Sequence, residues 1–392
     1  MQNTERQEIG SSANANSAGI YLHIPYCRRL CYYCDFHFSL SLRDKDEMLD
    51  AMAREMELRG DYLPPEITAI DTLYFGGGTP SVLAPADIGR LLDKLTSRFP
   101  VSRRAEITLE ANPDDLTPAY LSGLRALGVN RLSIGVQSFW DHELATMGRR
   151  HGAGQARQAV EDAFRCGFEN ITLDLIYGLP DSTRESWSHS LEMALGLSPP
   201  HLSCYHLSFE EKTVFGGFLR KGKLGALPEQ VSQGQYQHLC ERMAARGYEH
   251  YEIANFARPG WQSRHNRAYW AGVPYLGIGP AAHSFDGKNR QWNVANNRKY
   301  REGVERGTGF YEREVLSERD RFHDCLLTRL RTKRGLDLPW LRAHFPGFYP
   351  GFYRRLGRYF DTDLLRMEGD RCRLTEEGFF RSDAIIGDLF LP

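Results

Sequence analysis

The sequence predicts an α/β fold: a partial (β/α)6 barrel followed by a small helical, winged-helix-like domain at the C-terminus. Strand-like and helix-like segments alternate six times between residues 20 and 209, as parallel βαβ units do. Beyond Ser317 the pattern changes to helices with one short strand. Six repeats are fewer than the eight of a closed barrel. We therefore expect an open barrel, completed by segments between about 210 and 315.

The predicted strands are short apolar runs bounded by turn residues, and amphipathic stretches such as 91–95 and 120–127 separate them. The six strands are Ile20–Ile24, Ala69–Phe75, Glu106–Glu110, Arg131–Gln137, Ile171–Ile176 and His201–Phe209. A seventh is predicted at Tyr248–Ala254. In the C-terminal part, the pattern predicts helices over 317–331, Leu338–Phe345 and Phe352–Leu365, then a strand at Arg371–Leu374 and a final helix.

These elements divide the chain into three parts. Residues 1–18 are rich in Ser, Asn, Gln and Ala without apolar periodicity, so a disordered tail is predicted there, with order beginning near Gly19. The barrel with its extension is expected over 19–315, and the helical domain over 316–392. Winged-helix domains often bind DNA, but this one mixes acidic residues with its arginines, so a structural or lid role is predicted.

Composition excludes several classes of protein. Lys and Arg number 49 against 50 Asp and Glu, so no global attraction to nucleic acid is expected. No apolar run approaches the roughly 18 to 20 residues of a membrane span, and no signal peptide is visible, so a cytoplasmic protein is predicted. Of eight cysteines, three lie within eight positions and five are scattered. This distribution favours a reduced compartment, one metal site and five cysteines that simply pack.

The three clustered cysteines, Cys27, Cys31 and Cys34, follow the first predicted strand. Four cysteines usually close an electron-transfer cluster, whereas three leave one iron of a cluster open to a ligand. Two other interpretations remain open from spacing alone. Offsets of four and three residues also place side chains on one face of a helix, and His37 could complete a Cys3His zinc site.

Further unusual residues occur where predicted strands end, the face on which barrel enzymes place their sites. Strand two ends in Gly76–Pro80, whose backbone could approach a ligand closely. Glu110 and Gln137 close the third and fourth strands, and Asp174 lies in the fifth. Such side chains can bind the ribose and amino groups of a ligand. Taken singly, each could equally be a turn, a helix cap or a satisfied core polar group.

A separate motif contains His265, Asn266, Tyr269 and Trp270. An imidazole beside two aromatic residues is a candidate haem ligand against a flat aromatic wall. The alternative is a core histidine packed among aromatic side chains.

Together, the cysteine motif and the Gly76–Pro80 run resemble the radical S-adenosylmethionine superfamily. Within it, Tyr21 to Cys27, the Glu110 and Gln137 segments and Asp174 to Pro180 resemble the coproporphyrinogen III dehydrogenase (HemN-like) group. The resemblance implies a 4Fe-4S cluster on Cys27, Cys31 and Cys34, with S-adenosylmethionine on its open iron. It also implies an S-adenosylmethionine pocket made of Tyr21, Gly77, Gly78, Thr79, Glu110, Gln137, Arg149 and Asp174.

Two features separate the chain from the dehydrogenases. Those enzymes carry a further cysteine two residues after the third, where this chain has Phe36, and their N-terminus is longer and ordered. Both features, with the His265 motif, are similar to the HemW haem-chaperone branch. That similarity implies that haem is a cargo bound with the help of His265, Asn266, Tyr269 and Trp270, and that acceptor haem proteins such as respiratory cytochromes are partners.

Three hypotheses about function follow. The first is a haem chaperone without coproporphyrinogen III dehydrogenase activity and without an assigned catalytic residue. The second is an oxygen-independent coproporphyrinogen III dehydrogenase, or another radical S-adenosylmethionine enzyme acting on a tetrapyrrole. The third is a zinc-stabilised binding module. The resemblance leaves open a homodimer and peripheral contact with a membrane.

Overall fold

The computed structural model describes residues 16–392, and a twelve-stranded mixed sheet forms its centre. The first six strands are parallel and follow one another in chain order, which confirms the predicted six-strand barrel wall. They are β1 (Ser17–Ile24), β2 (Ala69–Gly77), β3 (Val101–Ala111), β4 (Arg131–Gln137), β5 (Asn170–Tyr177) and β6 (His201–His206). Their carboxyl ends therefore meet at one end of the barrel, where the predicted site residues lie.

Helices connect these strands and cover the outside of the barrel. Their apolar residues recur at helical spacing; in the helix Pro85–Arg98, for example, Ile88, Leu91, Leu92 and Leu95 are buried. Thr117 and Thr183 cap two of the helices by accepting hydrogen bonds from backbone N–H groups. The helices are α1 (Lys45–Leu58), α2 (Pro85–Arg98), α3 (Pro118–Ala126), α4 (Asp141–Thr146), α5 (Ala153–Arg165) and α6 (Arg184–Gly196).

The sheet extends past the barrel at both edges. Beyond β6 lie two short antiparallel strands, β7 (Glu249–Glu252) and β8 (Asn255–Ala257). Beyond β1 lie β9 (Tyr275–Ile278), parallel to it, and then antiparallel β10 (His283–Phe285), β11 (Asn289–Asn293) and β12 (Tyr311–Val315). The helices of this region are α7 (Val214–Arg220), α8 (Glu229–Ala245), α9 (Arg264–Trp270) and α10 (Asn297–Arg306).

Several predicted boundaries differ from the structure. The strand predicted at Tyr248–Ala254 ends at Glu252, because the chain turns back at Ile253 and Ala254, whose backbone groups bond Arg331 and Cys204; β8 follows this turn. The sixth strand ends at His206 rather than Phe209. Order begins before Gly19, because Ser17 already pairs with Ala69; the rest of the predicted tail, residues 1–15, lies outside the described residues.

The C-terminal part combines five helices with a three-stranded sheet. The helices are α11 (Glu318–Leu330), α12 (Leu338–His344), α13 (Tyr349–Leu356), α14 (Glu376–Phe380) and α15 (Ser382–Leu389). The strands are β13 (Leu336–Asp337), β14 (Leu365–Glu368) and β15 (Arg371–Leu374). The helix predicted at Phe352–Leu365 is present, but its predicted end was wrong: α13 ends at Leu356, and Leu365 pairs with Leu374 and is buried in the small sheet. The boundary after residue 315 stays a prediction.

Across residues 16–392, no helix combines the length and the apolar character that crossing a bilayer requires.

A buried carboxylate links α1 to the extension of the sheet. Glu55 pairs with Arg59 at 3.2 Å, and it accepts hydrogen bonds from Asn293 Nδ2 at 2.7 Å, Gly279 N–H at 2.8 Å and the Tyr300 hydroxyl. Both charged side chains are buried, so each needs the other. Glu55 therefore holds α1, β11 and α10 together on one side of the barrel.

We predict that Glu55→Ala lowers the free energy of unfolding by about 3–5 kcal/mol, because it leaves a buried guanidinium and several buried donors without their acceptor. Urea denaturation of wild type and variant would measure this loss. Asp50→Ala, on the exposed side of the same helix, is the control and should leave the denaturation midpoint nearly unchanged. Equal effects of the two substitutions would contradict the role assigned to Glu55.

Candidate functional site

The cysteine loop leaves β1 and is held as a closed turn. Cys27 N–H donates to the Ser39 carbonyl at 3.0 Å, and Ser39 N–H donates to the Pro25 carbonyl at 2.8 Å. Cys34 N–H bonds the Cys31 carbonyl at 3.2 Å. Cys27 is buried, whereas Cys31 and Cys34 are half-buried, and all three are free thiols. The loop thus places three sulfur atoms at the carboxyl end of β1 without a disulfide.

Two of the three cysteine sulfurs accept a hydrogen bond from a side chain outside the cysteine loop. The Thr79 hydroxyl donates to Cys27 Sγ at 3.3 Å, and Arg149 Nη1 donates to Cys31 Sγ at 3.2 Å. Burial raises the pKa of Cys27 to about 11 and that of Cys34 to about 12, so without a metal these thiols stay protonated at neutral pH. Metal ions reverse this preference because they stabilise thiolates. The donor set therefore fits a sulfur-ligated iron cluster.

The zinc alternative required His37 as a fourth ligand. In the structure, His37 Nε2 lies 2.7 Å from Oδ1 of Asn297, the first residue of α10, and the His37 carbonyl bonds the His23 ring. Nε2 of this imidazole is therefore already engaged by an amide oxygen. The structure favours a three-cysteine set over a Cys3His set.

The glycine run at the end of β2 allows two backbones to approach closely. A Cβ atom on Gly78 would lie 2.7 Å from the Tyr26 carbonyl oxygen, and Gly77 has φ +108° with the His23 ring where its Cβ would be. Only glycine fits both positions. This close approach allows Thr79, the next residue, to contact Cys27.

Two half-buried carboxyl groups lie deeper in the barrel. The Tyr74 hydroxyl donates to Glu110 Oε1 at 2.9 Å, and Tyr21 stacks on Tyr74 with ring centroids 5.9 Å apart. The Ser133 hydroxyl donates to Asp174 at 3.0 Å. Burial is the main cause that raises the pKa of Glu110 to about 7 and that of Asp174 to about 6. Both groups can change charge near neutral pH, as ligand-binding carboxyls often do.

Arg149 connects the cysteine loop to the ends of β3 and β4. Its Nη2 donates to Asn112 Oδ1 and to the Gly135 carbonyl, each at 2.6 Å. Gln137, the last residue of β4, has φ +70°, a rare conformation for a residue with a side chain. The register of the pairing between β4 and β5 also shifts at this position. Such backbone strain clusters at ligand sites.

The structure therefore brings most of the predicted residues together. Cys27 meets Thr79, Cys31 meets Arg149, and Arg149 lies beside the strand end that carries Gln137. The sequence analysis missed the partners of these residues: Tyr74, Asn112 and Ser133. Tyr74 contacts Glu110 of the neighbouring strand β3, and Ser133 contacts Asp174 of the neighbouring strand β5, so both contacts depend on strand pairing and not on a local pattern.

The residues of the predicted haem motif are divided between two surroundings. His265 lies inside the barrel floor, with Nδ1 2.9 Å from the Thr72 hydroxyl and its ring 4.9 Å from Tyr74. Burial lowers the pKa of His265 to about 4, so the imidazole is neutral. Tyr269 is half-exposed and packs edge to face on Trp270. The histidine thus packs against β2, whereas Tyr269 is exposed.

The partial barrel with three cysteines at the carboxyl end of its first strand defines a radical S-adenosylmethionine protein. The family model for the Radical SAM superfamily matches residues 21–194. The curated protein Heme chaperone HemW of Mycobacterium tuberculosis (strain CDC 1551 / Oshkosh) is 34% identical over 379 residues, which cover 95% of this chain and 94% of that protein. Heme chaperone HemW of Bacillus subtilis (strain 168) is 33% identical over 94% of this chain and 97% of that protein. This chain belongs to the HemW family.

A solved structure also resembles the whole chain. The radical SAM enzyme coproporphyrinogen III oxidase (HemN) of Escherichia coli superposes with a TM-score of 0.82 at 25% identity, covering 99% of this chain and 93% of that one. The likeness confirms the predicted fold class, including the C-terminal helical part.

We predict that Cys31→Ser leaves the barrel folded but removes bound iron, because a lost ligand weakens metal binding more than it weakens core packing. Iron content and visible absorption after anaerobic reconstitution would measure the loss, and circular dichroism would report the fold. Cys166→Ser, at a partly exposed cysteine far along the chain, is the control. Iron content equal to wild type in Cys31→Ser would refute the ligand assignment.

Glu110 should make the binding of S-adenosylmethionine, a cation, depend on pH. The carboxyl is mostly neutral below a pKa of about 7 and mostly charged above it, so affinity should rise about tenfold from about pH 6 to pH 8. Glu110→Gln should bind more weakly at high pH, with a flatter profile. Isothermal titration calorimetry at several pH values would test this. The same pH dependence in both proteins would assign the titration to another group.

Proposed function

We propose that this protein is a haem chaperone that binds haem and passes it to acceptor haem proteins such as respiratory cytochromes. The observation that carries the proposal is similarity along nearly the whole chain to proteins named as haem chaperones, in the barrel and in the C-terminal part alike. The protein, on this proposal, holds a 4Fe-4S cluster and S-adenosylmethionine in support of haem capture or transfer.

Cys27, Cys31 and Cys34 would hold the cluster, and an open iron would supply electron transfer to a bound S-adenosylmethionine. Three ligands, rather than four, support that assignment. Thr79 and Arg149 donate hydrogen bonds to two of the sulfurs, which stabilises negative charge on them.

The S-adenosylmethionine pocket on this proposal consists of the residues around the cysteine loop. Gly77 and Gly78 offer backbone without side chains in the way, and Glu110 offers a carboxylate to the amino group or sulfonium. Asp174 is placed for a hydroxyl or amino group, and Tyr21, with Tyr74, provides an aromatic wall. Gln137 and Arg149 complete the set where β4 ends. Burial disfavours the charged form of these carboxyls, and the positive charge of a bound S-adenosylmethionine would offset that and favour their ionised form.

A second function is a radical S-adenosylmethionine enzyme that acts on a tetrapyrrole. It is favoured by the whole-chain likeness to coproporphyrinogen III oxidase. Phe36 argues against it, because this position offers no thiol and its ring is 67% exposed beside the cysteine loop. We therefore propose that coproporphyrinogen III is not decarboxylated.

Two assays on anaerobically reconstituted protein separate these functions. Haem titration should give saturable binding with a Soret band, and loaded protein should transfer haem to an apo-cytochrome. Coproporphyrinogen III with S-adenosylmethionine and a reductant should give no decarboxylated product. Absence of saturable haem binding would refute the chaperone, whereas stoichiometric decarboxylation would establish the enzyme.

We predict that Tyr269→Ala weakens haem binding about tenfold, because it removes an aromatic side chain of the proposed motif. Tyr269 lies at the surface, so the substitution should leave the fold intact. Tyr353→Ala, at a tyrosine of similar exposure in the C-terminal part, is the matched control. Equal haem affinities of the two variants would remove Tyr269 from the haem site.

A further inference from the structure

Three side chains of the types that bind transition metals meet where the C-terminal part contacts the barrel. Cys240, one of the five scattered cysteines, lies in α8, His250 lies in β7, and Glu376 is the first residue of α14. The Cys240 sulfur, a His250 ring nitrogen and a Glu376 carboxylate oxygen all lie within 4.8 Å of one another. We call these three residues the Cys–His–Glu cluster.

The spacing of the three ligand atoms is close to that of a metal site. His250 Nδ1 lies 2.6 Å from Glu376 Oε2, and Cys240 Sγ lies 3.4 Å from the same oxygen. Ligand atoms around a tetrahedral zinc ion lie roughly 3–4 Å apart, because zinc bonds nitrogen, oxygen and sulfur at about 2.0–2.3 Å. The Glu376 side chain is 56% exposed, so it has room to adjust and an ion can enter from solvent.

His250 already has the orientation that a metal ligand needs. Its ring is buried and stacks on Phe256, with ring centroids 4.1 Å apart. Its second nitrogen, Nε2, lies 3.4 Å from the Ile253 carbonyl oxygen. Histidines that bind metals usually donate from the nitrogen that does not bind the ion, often to a backbone carbonyl. The ring proton can therefore lie on Nε2 while Nδ1 faces the other two ligands.

The charges around the cluster suit a cation. Partial burial raises the pKa of Glu376, but hydrogen bonds from His250 and Cys240 lower it by more, so the pKa lies below its ordinary value and the group is a carboxylate at neutral pH. Glu241 places a further negative charge near Cys240. Without a metal the Cys240 thiol donates its proton to Glu376, so the alternative to a metal site is a hydrogen-bonded contact.

We propose that Cys240, His250 and Glu376 bind one divalent transition-metal ion of the zinc class, with water in the fourth position. Thiolate, imidazole and carboxylate together are typical zinc ligands, whereas Mg²⁺ and Ca²⁺ prefer oxygen ligands alone. On binding, a sulfur–metal bond replaces the S–H bond of Cys240, and the proton leaves to solvent. The site is separate from the cysteine loop and does not rest on the proposed function.

The ion would join two parts of the chain. Cys240 and His250 belong to the extension of the barrel, and Glu376 belongs to the C-terminal part. One hydrogen bond already crosses the same boundary nearby, from Gln233 Nε2 to Glu377 Oε1 at 2.8 Å. A bound ion would therefore fasten α14 to α8 and β7 more firmly than hydrogen bonds alone.

Equilibrium dialysis against Zn²⁺ tests the proposal on anaerobic protein whose 4Fe-4S cluster has been reconstituted, so that the other clustered thiols are occupied. Glu376→Gln keeps an oxygen that accepts the same hydrogen bonds but removes the carboxylate, and Cys240→Ser removes the thiolate. Each should weaken the binding of one zinc ion per chain at least about tenfold, because a lost ligand costs at least as much affinity as a lost neighbour of a ligand. Glu377→Gln is the matched control, because Glu377 bonds Gln233 instead of the cluster, and it should bind zinc as wild type does.

Alkylation followed by mass spectrometry locates the ion. Zinc should slow the modification of Cys240 about tenfold or more, because a metal-bound thiolate is not free to react, and should leave the partly exposed Cys166 unaffected. Circular dichroism would show that the variants are folded.

The comparison of variants decides the outcome. Zinc affinity lost in Glu376→Gln and Cys240→Ser, but kept in Glu377→Gln, would support the site. No zinc binding beyond that of the two cluster variants, or equal loss in Glu377→Gln, would overturn it and leave a hydrogen-bonded contact. Haem takes no part in these measurements, so neither result depends on the proposed function.

Discussion

The site at the carboxyl end of the barrel depends on one close approach, between the glycine run that ends β2 and the chain that leaves β1. Gly78 N–H donates to the Ile24 carbonyl at 2.9 Å, and there is no room for a Cβ atom beside the Tyr26 carbonyl. Because the two backbones touch, Thr79 reaches Cys27. A larger residue at Gly78 would separate the strand ends and move the hydroxyl away from the sulfur.

From that contact a chain of hydrogen bonds runs across the strand ends. Asn112 Nδ2 lies 3.4 Å from the Thr79 hydroxyl, and Asn112 Oδ1 accepts from Arg149, which also reaches Cys31. The sulfurs of Cys27 and Cys31 are thus connected through three side chains, which follow β2, β3 and α4 in the sequence. Such hydrogen-bond networks hold each side chain in one geometry, so residues outside the cysteine loop help to position it.

The sequence predicted much of this arrangement because its signals are local. Parallel strands read as apolar runs, and β4 has the bounds predicted for it, Arg131–Gln137. The cysteines and the glycine run stand out by spacing alone. What could not be predicted depends on partners distant in the chain: β9, only four residues long, is a strand because it pairs with β1, and Leu365 is in a strand because it pairs with Leu374. Asn112 and Tyr74 likewise gain their roles from contacts that no local pattern encodes.

The helix α9 shows a further consequence of the barrel geometry. Its first turn lies inside the barrel floor, where Glu106 accepts from the backbone N–H groups of Arg264 and His265, and its last turn lines a cavity of about 740 Å³ at the end of the barrel opposite the cysteine loop. The two ends of the same strands therefore carry separate chemistry. Substitutions at one end leave the other almost undisturbed, because effects of distant residues add independently. In a barrel built in this way, the cysteine loop and the opposite end can change independently of each other.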